Sequence, residues 1–163
     1  MAKDKKTVTN AMRLLNASKI KYETVEYEAD EVGEHFGEAI AEMTGIPAEK
    51  SFKTLVARGD KTGIMVSCIA VNHEVDLKKL AKVSGNKKVE MIHVKEILGL
   101  TGYIRGGVSP VGMKKKYPTY INETAQKFET IAISGGRCGT TLILSPNDVQ
   151  KATDCVFADI TKE

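Results

Sequence analysis

The chain has no tryptophan, and aromatic residues make up 6% of its 163 positions. So few rings leave little with which to read nucleic-acid bases, and no base-reading motif is detectable. Its 3 cysteines, Cys68, Cys138 and Cys155, are too widely spaced for a C-x-x-C metal pair. An odd cysteine count fits a reducing compartment rather than a disulfide scaffold. His35, His73 and His93 form no H-E-x-x-H or H-x-x-x-H spacing, so no zinc site is expected. No G-x-G-x-x-G and no Walker loop is present, and no cofactor is expected. No apolar run approaches the ~20 residues of a membrane helix. Met1 to Lys6 is charged with no apolar stretch behind it, which predicts no secretory leader and a cytoplasmic protein.

What is there is ordinary globular composition, 42% hydrophobic and 28% charged. Such a chain buries roughly two-thirds of its unfolded surface, so residues 1–163 are expected to form a single domain. Val8, Ala11, Met12 and Leu15 share one face of a 3.6-residue period and predict a first helix, with Thr7 as cap. A strand is expected over 22–27. Phe36, Ala39, Ile40 and Met43 repeat the helical spacing ahead of Gly45. Residues 51–57 and 64–71 read as a hairpin around Gly59-Asp60 and Thr62-Gly63. Asp76 and Gly85 bracket a short helix, and Ser145-Pro146-Asn147-Asp148 starts another. Further strands are expected at 88–92, 120–122, 129–134, 140–144 and 156–160, with a short helix at 93–98. Helices and strands without strict alternation predict an α+β fold. Its sheet would be mixed, mostly antiparallel and barrel-like, flanked by helices.

The net charge is +3, from 24 basic and 21 acidic residues. It is unevenly spread. Residues 23–42 carry eight acids and no Lys or Arg, whereas residues 78–116 carry ten bases against Glu90 and Glu96. A focused positive field attracts a polyanion even when the total is small. Lys78, Lys79 and Lys82 read as a solvated helix face. Lys114, Lys115 and Lys116 follow a glycine-rich loop, and either phosphate contact or solvation fits them equally.

Candidate chemistry lies at three places. Lys53 interrupts the apolar strand Ser51 to Val56; it reaches either an exposed edge or a polar cavity holding an anion. The Gly106-Gly107-Val108-Ser109-Pro110 and Ser134-Gly135-Gly136 loops are either tight turns or backbone N–H nests. No G-x-S-x-G elbow and no Ser/His/Asp order is present. A hydrolase built on this chain would rely on positioning and electrostatics.

Phe52-Lys53-Thr54-Leu55, Lys87-Lys88-Val89-Glu90-Met91, the run from Thr101 to Gly112, Phe128-Glu129-Thr130-Ile131, Ser134-Gly135-Gly136 and Ala158-Asp159-Ile160 stand in the order and spacing of the YbaK/EbsC family. The chain resembles that family over essentially its whole length, and the family is similar to the editing domain inserted in bacterial prolyl-tRNA synthetases. The resemblance implies deacylation of a mischarged tRNA. The substrate would be Cys-tRNA(Pro), and also Cys-tRNA(Cys), with Ala-tRNA(Pro) or non-catalytic tRNA binding as alternatives. It implies that Lys53 binds the 3′-terminal nucleotide, and that Tyr27, Gly106 and Ser134 surround the aminoacyl ester, with Gly107, Ser109 and Gly135 alongside. Arg137 joins Lys114, Lys115 and Lys116 as an expected phosphate contact. Prolyl-tRNA synthetase is an expected partner in a ternary complex. The cysteinyl thiol attacking its own ester is one route, with water as the other. Cys138 stands where family members often carry a basic residue, and Met113 where they often carry glutamine.

Overall fold

The computed structural model describes residues 8–27 and 41–162. Helix α1 spans Asn10–Ala17 and buries Ala11, Met12 and Leu15 on one face, as their spacing requires. Its cap is Thr9 rather than Thr7: the Thr9 hydroxyl accepts the Met12 N–H at 3.2 Å. The same hydroxyl donates to the Gly135 carbonyl at 2.6 Å, which moors a candidate loop to the helix. Strand β1 follows at Glu23–Glu26. The expected second helix falls largely outside the described residues; 41–44 are helical and lead to Gly45.

β2 (Phe52–Gly59) and β3 (Gly63–Ala70) form the expected hairpin. Helix α2 (Leu77–Ser84) is capped by the Asp76 carboxylate, which accepts from Lys78 N–H at 2.9 Å and Lys79 N–H at 3.1 Å. It lays Leu80 and Ala81 over Met65, Ile69 and Ile160. β4 (Val89–Met91) pairs with the far end of β2. A 3₁₀ turn at Val94–Glu96 runs into α3 (Ile97–Thr101). β5 (Thr119–Asn122), β6 (Ile131–Ser134), β7 (Thr140–Leu144), α4 (Pro146–Thr153) and β8 (Val156–Ala158) complete the order. Ser145 caps α4 by accepting the Asp148 N–H at 3.1 Å, with Pro146 at the first position.

The strands form two sheets. One is antiparallel in the order β1-β7-β6; the other runs β4-β2-β3-β5-β8. In the second, β4, β2 and β3 are antiparallel, whereas β5 is parallel to both β3 and β8. A parallel bridge between Ser51 and Ala132 joins the sheets. The fold is thus mixed α+β, and its barrel-like curl stays unclosed among the described residues. The largest core lies between the sheets and helices α1 and α4. It is filled by Leu15, Ile121, Ile131, Ile133, Leu142 and Val149, each contributing roughly 1.5–3 kcal/mol by burial.

Candidate active site

The backbone of β2 alternates its partners. Ser51 accepts Val71 N–H at 2.8 Å on the β3 side. On the opposite edge, Val56 accepts Ile92 N–H at 3.3 Å, and Asp60 donates its N–H to Lys88 at 3.0 Å. β4 covers that edge only at the Ala57–Gly59 end. Between Val56 and the Ser51–Ala132 bridge the edge stays open, and a cavity of about 320 Å³ opens against it.

Four of the expected residues meet on the cavity wall: Tyr27, Lys53, Gly106 and Ser134. Lys53 is half-buried, and its ammonium donates to the Val71 carbonyl at 3.4 Å. It thus borders a cavity whose wall is mostly apolar, instead of lying on a fully exposed edge. Tyr27 follows β1, with its backbone N–H donating to the Gly139 carbonyl at 2.9 Å. Burial pushes the Tyr27 phenol above its ordinary value, with the nearby Gly139 backbone working against it. The hydroxyl therefore keeps its proton at neutral pH. Ser134 ends β6, and its hydroxyl accepts the Gly136 N–H at 3.2 Å. The Gly106 N–H has no hydrogen-bond partner among the described residues.

The other expected residues stand behind or away from the wall. The Gly107 N–H is committed to the Ile104 carbonyl at 2.9 Å, so it is not an oxyanion donor. A Cβ at Gly107 would lie 2.8 Å from the Arg137 Cα and 2.9 Å from the Cys138 nitrogen. Its role is to let two loop backbones touch. Ser109 is fully buried, its hydroxyl accepting the Val111 N–H at 3.2 Å. Gly135 is buried in the turn, donating to the Thr140 carbonyl at 2.8 Å. Arg137 donates through Nε to the Thr140 hydroxyl at 2.9 Å, which in turn donates to Glu26 at 2.8 Å. Lys114 donates to the Gly99 carbonyl at 3.2 Å, and Lys116 pairs with Asp154. Lys115 and Lys116 border a separate small pocket beneath Tyr117.

Some wall residues stand outside the motifs quoted from sequence: Val56 and Ile133 are apolar strand positions. Met91 and Val94 line the cavity while staying 40% and 55% exposed, which leaves an apolar rim. Arg105 is the further cation on the wall; it stands in the basic window and in the Thr101–Gly112 run, where sequence assigned it no role of its own. Tyr103 braces the site from below. Its hydroxyl donates to the Val111 carbonyl at 2.7 Å, and its ring packs against Gly136. Burial pushes its pKa up to about 12. Cys138 places its sulfur 3.6 Å from the Arg105 carbonyl, off the cavity wall. Among the described residues no cluster of His, Cys, Asp or Glu is arranged to hold a metal ion. None of the described helices is long and apolar enough to cross a membrane.

The family model for the aminoacyl-tRNA editing domain matches residues 31–152. The chain belongs to that family. Among its relatives is a protein of Enterococcus faecalis, 48% identical over 163 residues, spanning 99% of this chain and 98% of the relative. That relative is named as a candidate Cys-tRNA(Pro)/Cys-tRNA(Cys) deacylase, EbsC. A proline–tRNA ligase of Streptomyces avermitilis is 32% identical over 78 residues, covering 48% of this chain and 14% of the ligase. In fold, the editing-domain chain is similar to the crystal structure of a candidate trans-editing enzyme for prolyl-tRNA synthetase. The TM-score is 0.80 at 23% identity, over 96% of this chain and 99% of that one.

Proposed function

We propose that this protein is a trans-editing aminoacyl-tRNA deacylase that releases cysteine from Cys-tRNA(Pro), and also from Cys-tRNA(Cys), acting as a single domain. The observation that carries this reading is the 48% identity, over nearly the full length of both chains, to the Enterococcus faecalis relative of that name. The cavity supports it chemically. Lys53 offers a cation to the phosphate or ribose of the terminal nucleotide. In this reading Tyr27 and Ser134 frame the ester, and the Gly106 N–H donates to the oxygen that gains charge in the transition state.

Neither His73 nor His93 lines the cavity, and no cysteine does. The reading therefore assigns the nucleophile to the substrate. The cysteinyl sulfur attacks its own ester carbonyl, a C–S bond forms, and the C–O bond to the ribose breaks. The thiol proton passes to the departing ribose oxygen. A four-membered thiolactone leaves and is opened by water to cysteine. The protein contributes geometry, holding thiol and carbonyl in a reactive conformer. Binding to prolyl-tRNA synthetase in a ternary complex belongs to the same proposal, since the wall offers few rings for reading tRNA bases.

Deacylation of tRNA(Pro) charged with Cys, Ala, Ser or Pro tests the reading. Cysteine is expected to be released fastest, with serine retained because its hydroxyl is the poorer nucleophile. Persistence of every ester at micromolar protein would overturn the assignment.

A further inference from the structure

The open edge of β2 has a use that the wall side chains do not supply. Hydrogen bonding along this strand alternates strictly. Ser51 bonds toward β3, as odd positions do, whereas Val56 and Asp60 bond toward the β4 side. Arg58 lies opposite Glu90 in that same register. Thr54 is the next even position. Its N–H and C=O must therefore point out of the hairpin, toward the cavity that Thr54 lines. β4 pairing has ended before it, and the bridge to β6 lies at Ser51. Thr54 thus presents one donor and one acceptor at β-ladder spacing, on a strand edge facing a closed-in cavity instead of bulk solvent.

An α-aminoacyl group carries the complementary pair on a single carbon: an amine that donates and a carbonyl that accepts. We infer that the aminoacyl moiety docks on Thr54 as a one-residue antiparallel β-strand, its amine donating to the Thr54 carbonyl and its acyl oxygen accepting the Thr54 N–H. This is the smallest form of strand addition, with the backbone supplying affinity and the adjoining face supplying selectivity. Directly opposed residues in such a pair send their side chains to the same face. The bound amino acid's side chain then lies with that of Thr54, which contacts Cys68, and away from Lys53 on the other face. Chemical recognition of the α-amine follows without an acidic side chain among the described residues of the wall. This inference rests on the deacylase reading for its choice of ligand.

Its test uses non-cleavable ligands, so that binding is read whether or not the chain cleaves an ester. The probes are 3′-deoxy-3′-(L-cysteinylamido)adenosine and its 3-mercaptopropionyl counterpart, which lacks only the amine. Calorimetry with the full chain is expected to give at least about tenfold tighter binding of the first, the worth of one hydrogen bond from a charged donor. The Thr54 amide proton is expected to shift downfield on saturation, a response that side-chain contacts would not give. Replacing Thr54 by its α-hydroxy acid, which turns the N–H into an ester oxygen and keeps the side chain, is expected to weaken the cysteinyl probe by about fivefold while leaving the fold intact. Equal affinity for the two probes, an unmoved Thr54 amide, or no binding of either overturns the inference. Cysteine release from Cys-tRNA(Pro) with no discrimination between the probes removes this inference and leaves the deacylase reading standing. Discrimination without any ester cleavage does the reverse.

Discussion

The two ends of β2 are built for different purposes. At Ala57–Gly59 the strand is paired on both sides, with β3 and with β4. A polar hub locks the adjoining turn: the buried Asn86 amide accepts from Lys61 N–H at 2.8 Å and Thr62 N–H at 2.9 Å. Its nitrogen donates to the Thr62 and Ser84 hydroxyls. Gly59 is there because a Cβ would stand 2.4 Å from that amide. At the other end, Lys53–Leu55 is paired on one side only and its free edge faces the cavity. One strand thus carries a fully satisfied end that supplies rigidity and an unsatisfied end that supplies binding groups. Rigidity at the first is what holds the second in register.

The sharpest way to break the contrast is at the hub. Asn86→Ala removes the four hydrogen bonds of this buried amide and is expected to cost about 2–4 kcal/mol of stability. Chemical denaturation measures it. Activity per folded molecule is expected to survive, since Asn86 touches no wall residue of the cavity. A loss of turnover at full folding would show that the closed end does more than hold the open one.

Lys53→Ala strikes the other end. Cysteine release is expected to fall by about a hundredfold, roughly 2.7 kcal/mol of transition-state binding. Stability should change little, because Lys53 is half-buried and deletion leaves no buried charge behind. Deacylation kinetics beside a thermal melt separate the two effects, and an active Lys53→Ala protein would remove Lys53 from the site.

This contrast was partly legible in the sequence. The hairpin, the Asp76 and Ser145 caps and the first helix follow from spacing and cap chemistry, which are local. Lys53 was conspicuous because a charge inside an apolar strand needs a reason. The glycine loops were conspicuous too, but sequence could not say which glycine faces the ligand. Gly106 lines the wall and Gly107 packs two loops together, a difference made by Arg137 and Cys138 approaching from thirty residues away. Sequence could not place the basic run either: Lys116 pairs with Asp154 and Lys114 reaches the Gly99 carbonyl, while Arg105, inside the Thr101–Gly112 run, lies on the wall. Parallel pairing of β5 with β3 and β8, and the open edge at Thr54, arise from long-range register that no window of residues reveals.

Acid sharpens the comparison from the closed end. The Asp60 carboxylate accepts from Lys88 N–H at 3.1 Å and Lys87 N–H at 2.9 Å, and these bonds hold its pKa below the ordinary 3.8. A carboxyl depressed on folding adds stability above its unfolded pKa and loses it as pH falls through the folded one. The turn at Asp60 is therefore expected to loosen below about pH 4. Amide exchange at Lys87 and Lys88 should quicken there before exchange at Thr54 changes. Unchanged protection of those two amides at pH 3 would show that the turn does not depend on the Asp60 charge.

The smallest effect concerns a group placed behind the open end. Ser67 lies opposite Leu55 in the hairpin and is fully buried, and its hydroxyl has no hydrogen-bond partner among the described residues. A hydroxyl buried without a partner opposes folding, because it surrenders its bonds to water and gains none. Ser67→Ala is therefore expected to raise stability by up to about 1 kcal/mol, the reverse of most buried substitutions. A thermal melt reads the sign directly. The more telling measurement is turnover in the same variant. Leu55 lines the cavity and Ser67 supports it from the next strand. If Ser67→Ala melts higher and keeps its rate, the hydroxyl is a tolerated defect in the core. If it melts higher and deacylates more slowly, the unsatisfied group is a cost carried for the shape of the open end. Lower stability would mean that the hydroxyl packs better than its missing partner implies.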